Sequence, residues 1–114
     1  MKTSDAVIYL DPDTVVLNSI EKLWSHFQKF DDKHMIAMSL LDDIAEGNNY
    51  RNSVTFSIFG KLGISNGVML MNLTRMRRFN FAAKIMKTWE RWKKFIKHGD
   101  QDLTNILLHD HPGV

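Results

Sequence analysis

Residues 6–13, Ala-Val-Ile-Tyr-Leu-Asp-Pro-Asp, decide the fold. The first five form a short apolar run rich in Val, Ile and Tyr, which is typical of a β-strand covered on both faces. Asp11 and Asp13 follow where the strand ends, and ligands of open α/β sheets bind beyond such ends. Hard cations such as Mn²⁺ or Mg²⁺ prefer oxygen ligands. The stretch therefore predicts a strand leading into a divalent-metal site, although Asp-Pro-Asp also suits an ordinary turn.

The composition is that of one globular domain with a real core. The chain has 114 residues, of which 44% are hydrophobic and 25% charged, and this balance argues against disorder. No apolar run approaches the roughly 18 residues of a membrane span, and we expect no targeting segment in the chain. The absence of cysteine excludes a disulfide framework and thiolate chemistry.

Positive charge is concentrated in residues 75–97. The net charge of the chain is only +2, but this segment holds nine basic residues against the single acid Glu90. We call it the basic stripe. Such a stripe could bind a phosphate-bearing partner or an anionic surface, but more often it is the solvated face of a helix.

Strand and helix patterns alternate along the chain. This alternation predicts an α/β fold with a mostly parallel sheet flanked by helices. After the first strand we expect these elements, in order: a short strand at 14–17, a helix capped by Asn18 with Glu21 completing a capping box, a strand at 34–40, a long loop at 42–63, a strand at 66–73, a helix from Thr74 to His98, and a last helix capped by Asp100.

Apolar residues at helical spacing predict which helix faces are buried. In the first helix the apolar face consists of Ile20, Leu23, Trp24, Phe27 and Phe30. In the long helix it consists of Phe81, Ile85, Trp89, Trp92 and Ile96. In the last helix it consists of Leu103, Ile106 and Leu107. We interpret all three as core rather than as cofactor sites.

Three stretches together resemble the pattern of glycosyltransferase family 8. They are residues 9–13 (Tyr-Leu-Asp-Pro-Asp), residues 60–77 (Gly-Lys-Leu-Gly-Ile-Ser-Asn-Gly-Val-Met-Leu-Met-Asn-Leu-Thr-Arg-Met-Arg) and residues 99–106 (Gly-Asp-Gln-Asp-Leu-Thr-Asn-Ile). The Asp-x-Asp motif alone is weak, but the long middle stretch followed by Gly-Asp-Gln-Asp-Leu is specific. The residues of these stretches are similar to those of the glucoside xylosyltransferase branch, which extends O-linked glucose on proteins.

The resemblance implies a partial GT-A (Rossmann-like) nucleotide-sugar glycosyltransferase domain. In these terms residues 1–114 are the central part of one catalytic domain, without the uridine-binding strands that precede it or the downstream His that gives the family a third metal ligand. His109 and His111 lie too soon after Asp102 to be that ligand. We therefore expect this chain alone to bind a UDP-sugar weakly and to be inactive.

The resemblance also assigns roles residue by residue. Asp11 and Asp13 match the pair that holds Mn²⁺ on the donor diphosphate. Ser65 and Asn66 match a turn that contacts the donor sugar, but relatives carry the amide at the position of Ser65. Asp100 also matches a donor-sugar contact, and Gln101 matches the residue near the anomeric carbon. The activity implied is retaining transfer of xylose from UDP-xylose to O-linked glucose on proteins.

Other interpretations stay open at this point. The same fold could use another UDP-hexose donor, or the chain could be a non-catalytic fragment or a basic binding module. The partners implied are a UDP-sugar and a glucosylated protein or glycan acceptor, with no nucleic acid. By resemblance the parent protein is membrane-anchored in the lumen of the Golgi or endoplasmic reticulum. Asn72-Leu73-Thr74 forms an N-glycosylation sequon at a strand end, where we expect poor access.

Overall fold

Residues 4–41 and 50–114 are described by a computed structural model. In this part of the chain a three-stranded sheet carries helices that pack against it. The elements are β1 (Ala6–Leu10), α1 (Ile20–Trp24) with a 3₁₀ helix behind it (Ser25–Lys29), β2 (Ile36–Leu40), α2 (Tyr50–Ser53), β3 (Ile64–Asn72), α3 (Leu73–Phe79), α4 (Phe81–Trp92) and α5 (Asp100–Asp110).

The sheet has the order β1-β3-β2, and both of its ladders are antiparallel. Leu10 lies opposite Val68, and Ile36 lies opposite Met71. The predicted α/β class is confirmed, but the mostly parallel sheet is wrong for the described strands. β1 and β2 run in the same direction, as helical crossovers favour, but β3 lies between them and runs the opposite way.

The segment after β1 is irregular, which corrects two predictions. Residues 14–17 form no strand in the described structure, and Val15, Val16 and Leu17 are exposed. β-prone residues alone are insufficient, because a strand needs a neighbour to pair with. The N-cap of α1 is Ser19 rather than Asn18, whose Oδ1 accepts from the Ser19 amide at 2.9 Å.

The helix predicted from Thr74 to His98 is two helices. Asn80 separates α3 from α4 in the left-handed conformation (φ 60°), which Asn tolerates better than most residues. Asn72 caps α3 because its Oδ1 accepts from the Arg75 amide at 3.0 Å. The sequon therefore lies at the junction of β3 and α3, with Oδ1 of its asparagine engaged and the residue half-buried.

Among the described residues the core consists of two clusters, and α5 contributes to both. One contains Met35, Ile36, Ile64 and Leu108, and the other contains Tyr50, Phe56, Ile58 and Ile106. The apolar face predicted for α5 is confirmed, with Leu103 only half-buried. The face predicted for α1 is wrong as core, because none of the described α1 residues is buried. On α4, Trp92 is half-buried while Trp89 is exposed.

Several cations of the basic stripe hold the backbone of neighbouring segments. Arg75 donates to the carbonyls of Asp31 and His34, and Arg77 donates to that of Ser4. Lys97 Nζ donates to the Ser53 carbonyl at 2.9 Å. These contacts give Arg75, Arg77 and Lys97 a structural role. No helix of the described residues has the length and hydropathy needed to cross a bilayer.

The long loop predicted at 42–63 is partly a helix. Residues 42–49 lie outside the described residues, α2 occupies Tyr50–Ser53, and the segment ends at Gly63. Gly63 has φ +85°, and a Cβ there would lie 3.0 Å from Asn105 Oδ1 and 3.1 Å from the Tyr50 ring. A side chain at this position is therefore disfavoured on two counts, backbone strain and close contact with Asn105 and Tyr50.

Gly63→Ala is expected to lower the free energy of unfolding by about 2 kcal/mol, since strain and collision act together. Gly60→Ala is the matched control, because Gly60 has φ +61° and nothing within 4 Å of its missing Cβ. Urea unfolding of both variants separates the two costs. Equal midpoints for the two variants would show that the closeness of Tyr50 and Asn105 to a Cβ at residue 63 adds no cost.

Candidate functional site

Asp11 is fixed at the end of β1 by its own backbone and by a neighbouring phenol. Its amide donates to the Gly67 carbonyl at 2.9 Å, which extends the β1–β3 ladder by one step. Tyr9 Oη donates to Asp11 Oδ1 at 2.8 Å. The Thr14 amide donates to the Asp11 carbonyl at 3.0 Å and closes a turn that leaves Asp13 exposed. One carboxylate is thus oriented, and the other can move.

Ser65, Asn66 and Gly67 lie within β3 and not in a turn, which corrects the prediction. Alternation along a strand places Ser65 and Gly67 on one face and Asn66 on the other. A Cβ on Gly67 would lie 3.5 Å from Asp11 Oδ2 and 3.6 Å from Ser65 Oγ. The missing side chain of Gly67 therefore leaves room beside Asp11, and the Ser65 hydroxyl borders that room.

Asn66 joins β3 to the start of α5. Its side chain is buried, and Nδ2 donates to Asp100 Oδ2 at 3.0 Å and to Thr104 Oγ1 at 3.2 Å. A reversed amide would turn an acceptor towards the carboxylate, so the hydrogen bonds fix its orientation. Asn66 Oδ1 is buried and has no partner among the described residues. A buried acceptor without a donor is costly, so it marks a place for a ligand or a water.

Asp100 and Gln101 begin α5, and the N-cap is Gly99 rather than Asp100 as predicted. Gly99 has φ +62°, a value that glycine adopts without strain. The Asp100 carboxylate is exposed and faces Asn66, while Gln101 is half-buried. Asp100 and Gln101 are the first two residues of α5. The positive end of the helix dipole therefore lies beside their side chains.

Negative charge accumulates around Tyr9. The pKa of its phenol is raised, first by the hydrogen bond to Asp11 and then by the charges of Asp11, Asp100 and Asp13. Both ion pairs found among the described residues lie elsewhere, at Asp31 and Glu90. Three carboxylates without a described counter-cation make a local negative pole that suits a cation.

The residues present fit a divalent ion that is shared with a ligand. Asp11 and Asp13 offer carboxylate oxygens, which are the donors that Mn²⁺ and Mg²⁺ take. In the described part of the chain no three His, Asp or Glu side chains form a ready metal cluster. Two protein carboxylates leave coordination positions for phosphate oxygens and water. The pair is therefore suited to an ion whose other ligands come from a bound molecule with oxygen donors.

Three distant motifs meet at this edge of the sheet. Asp11 contacts Gly67, and Asn66 contacts Asp100, so residues from β1, β3 and α5 share one small region. The residues that hold them are Tyr9, Tyr50, Asp102, Thr104 and Asn105. All but Tyr50 lie within the motifs quoted from the sequence, but the motifs assigned no holding role to them. The one signal for Asn105 in the sequence is its position, a polar residue next to the predicted apolar face of α5.

Comparison with known proteins was made on both sequence and structure. Residues 1–112 match the sequence family described as Glycosyl transferase family 8. Glucoside xylosyltransferase 2 of Xenopus laevis is 32% identical over 95% of this chain, and the chain spans 28% of the length of that relative. Glucoside xylosyltransferase 1 of Homo sapiens is 32% identical over 98% of the chain, which again spans 28% of it.

Two solved structures share the fold. The galactosyltransferase LgtC, solved with donor and acceptor sugar analogs, superposes with a TM-score of 0.70 at 26% identity and covers 94% of this chain and 37% of its own. Mouse xyloside xylosyltransferase 1 superposes with a TM-score of 0.69 at 20% identity. The match covers 97% of this chain and 43% of the mouse chain. These likenesses confirm the predicted GT-A fold. With the family match over nearly every residue, they show that the chain belongs to glycosyltransferase family 8.

Proposed function

We propose that the chain forms the donor-binding edge of a retaining, metal-dependent glycosyltransferase that moves xylose from UDP-xylose to O-linked glucose on protein acceptors. The observation that carries the proposal is that two adjacent residues of β3 contact the other two motifs, since the Gly67 carbonyl accepts from the Asp11 amide and Asn66 donates to Asp100. The relatives named glucoside xylosyltransferase favour this donor and acceptor. The chain would then be the central part of a larger catalytic domain.

In this proposal Asp11 and Asp13 hold Mn²⁺ against the donor diphosphate. When bound, the ion offsets the negative charge that develops on the leaving UDP. Asp11, held by the hydrogen bond from Tyr9 Oη to its Oδ1, would supply an oriented ligand, and the exposed Asp13 would supply a second one.

The donor sugar would lie against the start of α5, at the end of the sheet where Asp11 follows β1. Asp100, oriented by Asn66 Nδ2, accepts hydrogen bonds from sugar hydroxyls, and the Ser65 hydroxyl borders the space beside Asp11. Asn66 acts mainly by orienting Asp100, and its unpartnered Oδ1 is the acceptor left over. Gln101 would face the anomeric carbon. An amide is a poor nucleophile, so its role there would be to stabilise an oxocarbenium-like transition state and not to attack the carbon.

A UDP-hexose, such as UDP-galactose or UDP-glucose, is the alternative donor. It rests on the likeness to a galactosyltransferase at 26% identity and on the amide at Asn66 instead of at residue 65. The secretory-pathway lumen is the location that we propose, because the acceptors of glucoside xylosyltransferases are glycosylated proteins.

The test measures hydrolysis of UDP-xylose, UDP-galactose and UDP-glucose, and transfer to a glucosylated peptide, with and without Mn²⁺. It uses the 114-residue chain and a chimera in which this chain replaces the matched segment of the Xenopus laevis relative. We expect Mn²⁺-dependent xylose transfer by the chimera and little or none by the chain alone. A folded chimera that is inactive with all three donors would overturn the proposal.

A further inference from the structure

Asp102 is a fully buried carboxylate with no assigned role in binding a donor. It is 0% exposed and lies on the inner side of the first turn of α5. Its Oδ1 accepts from Tyr50 Oη at 2.6 Å, and its Oδ2 accepts from the amides of Lys97 and His98 at 2.7 and 2.8 Å. A buried charge is tolerated only when it is hydrogen-bonded in this way.

The two hydrogen bonds from the Lys97 and His98 amides close a ring of backbone around Gly99. Residues 97–102 are joined at both ends by the Asp102 side chain, and Gly99 forms the bend between them at φ +62°. Asp100 and Gln101 lie inside that ring. The direction in which both side chains leave the backbone is therefore set by how Asp102 holds the preceding amides.

Helix α2 braces the ring from outside. The Tyr50 ring meets the His98 ring edge to face at 5.3 Å, and Ser53 Oγ lies 3.1 Å from His98 Nε2. Ser53 also accepts from Lys97 Nζ through its carbonyl. Desolvation, followed by the hydrogen bond to Asp102, raises the pKa of Tyr50, so the phenol stays a donor at physiological pH.

We propose that Tyr50 and Asp102 form a positioning pair that fixes the start of α5 and so places Asp100 and Gln101 against the donor sugar. This inference rests on the proposed function. Asp102 has no exposed surface and both of its oxygens are engaged, so it acts through the backbone and not by touching the substrate.

Asparagine at position 102 separates this role from a chemical one. Its single carbonyl oxygen can accept from both amides, as Oδ2 does now, and its amide can donate to Tyr50 Oη. Asp102→Asn thus keeps the ring but removes the carboxylate, whereas Asp102→Ala removes the ring. Asp110→Asn is the matched control, since Asp110 is exposed at the far end of the same helix.

The first readout is hydrogen exchange at the amides of Lys97 and His98 in the 114-residue chain, which needs no activity. We expect roughly tenfold faster exchange in Asp102→Ala, equivalent to one lost hydrogen bond, and a smaller acceleration in Tyr50→Phe. Wild-type rates in both variants would overturn the inference. If Asp102→Ala does not fold, Tyr50→Phe decides, because it removes only one hydroxyl.

The second readout is donor turnover by the chimera. We expect Asp102→Ala to lower kcat about 100-fold with little change in KM, the cost of a misplaced reacting group. Asp102→Asn should retain kcat within about tenfold. Equal losses in the two variants would make the carboxylate itself the reacting group and overturn the inference. If the wild-type chimera has no activity, the proposed function fails, and exchange alone decides whether the pair fixes α5.

Discussion

Replacing Asn105 by alanine is expected to lower the free energy of unfolding by about 3–5 kcal/mol, a large part of the stability of a small domain. Asn105 is fully buried. Its Oδ1 accepts from the Ile64 amide at 2.9 Å, and its Nδ2 donates to the carbonyls of Ile64 and Gln101, each at 2.9 Å. Alanine leaves both polar groups of Ile64 without this partner and opens a cavity between β3 and α5.

Urea unfolding of this variant beside Asn52→Ala measures the effect, because Asn52 is an exposed asparagine in α2. Asn105→Asp separates hydrogen bonding from packing. It keeps the size of the side chain but places a carboxylate oxygen where Nδ2 now donates to Ile64, so it should cost about as much as alanine. A loss below about 1 kcal/mol in both variants would show that water or a rearranged helix replaces the clamp.

The same clamp illustrates what sequence patterns can and cannot predict. The apolar run of β1 and the spacing of Ile106 and Leu107 predict local elements, since strand and helix periodicity depend on near neighbours. The contact of Asn105 with Ile64 spans 41 residues, and no local signal records it. The antiparallel direction of β3 was missed for the same reason, because pairing depends on which strands meet and not on the composition of either.

The candidate site divides in a similar way. Asp11, Asp13, Asp100 and Gln101 stand out in short motifs, so the sequence names them. Tyr9 and Asp102 lie in the same motifs, but nothing in a motif shows which residues they contact, and Tyr50, the partner of Asp102, lies 52 residues away in the sequence. The turn that the resemblance implied at Ser65 and Asn66 was wrong, whereas the strand predicted from residue 66 was confirmed, because β3 begins at Ile64 and Asn66 is buried within it.

The break at Asn80 shows a third limit. Residues 73–92 have continuous helical periodicity apart from one residue, and asparagine is neutral enough in helices that nothing forces an end there. The left-handed conformation of Asn80 depends on how α3 follows β3 and how α4 packs on α5. Tertiary packing therefore overrides a local preference of only a few tenths of a kcal/mol.

Asp11→Asn and Asp13→Asn are each expected to lower Mn²⁺-dependent donor turnover by the chimera about 10²–10³-fold. The reason is that an amide is a weaker ligand than a carboxylate, and charge compensation at the leaving diphosphate is lost. The fold should tolerate both changes. An amide oxygen at position 11 can still accept from Tyr9, and Asp13 is exposed. Asp32→Asn, another exposed carboxylate in the chain, is the matched control.

Raising the Mn²⁺ concentration distinguishes loss of the ion from loss of the site. If Asp13 acts as a ligand, excess Mn²⁺ should restore part of the activity of Asp13→Asn, because weaker coordination is offset by mass action. Asp11→Asn should recover less, since Asp11 is the ligand that Tyr9 and the β3 backbone hold in place. Wild-type turnover and wild-type metal dependence in both variants would contradict the metal role of this turn and leave Asp-Pro-Asp as a structural feature.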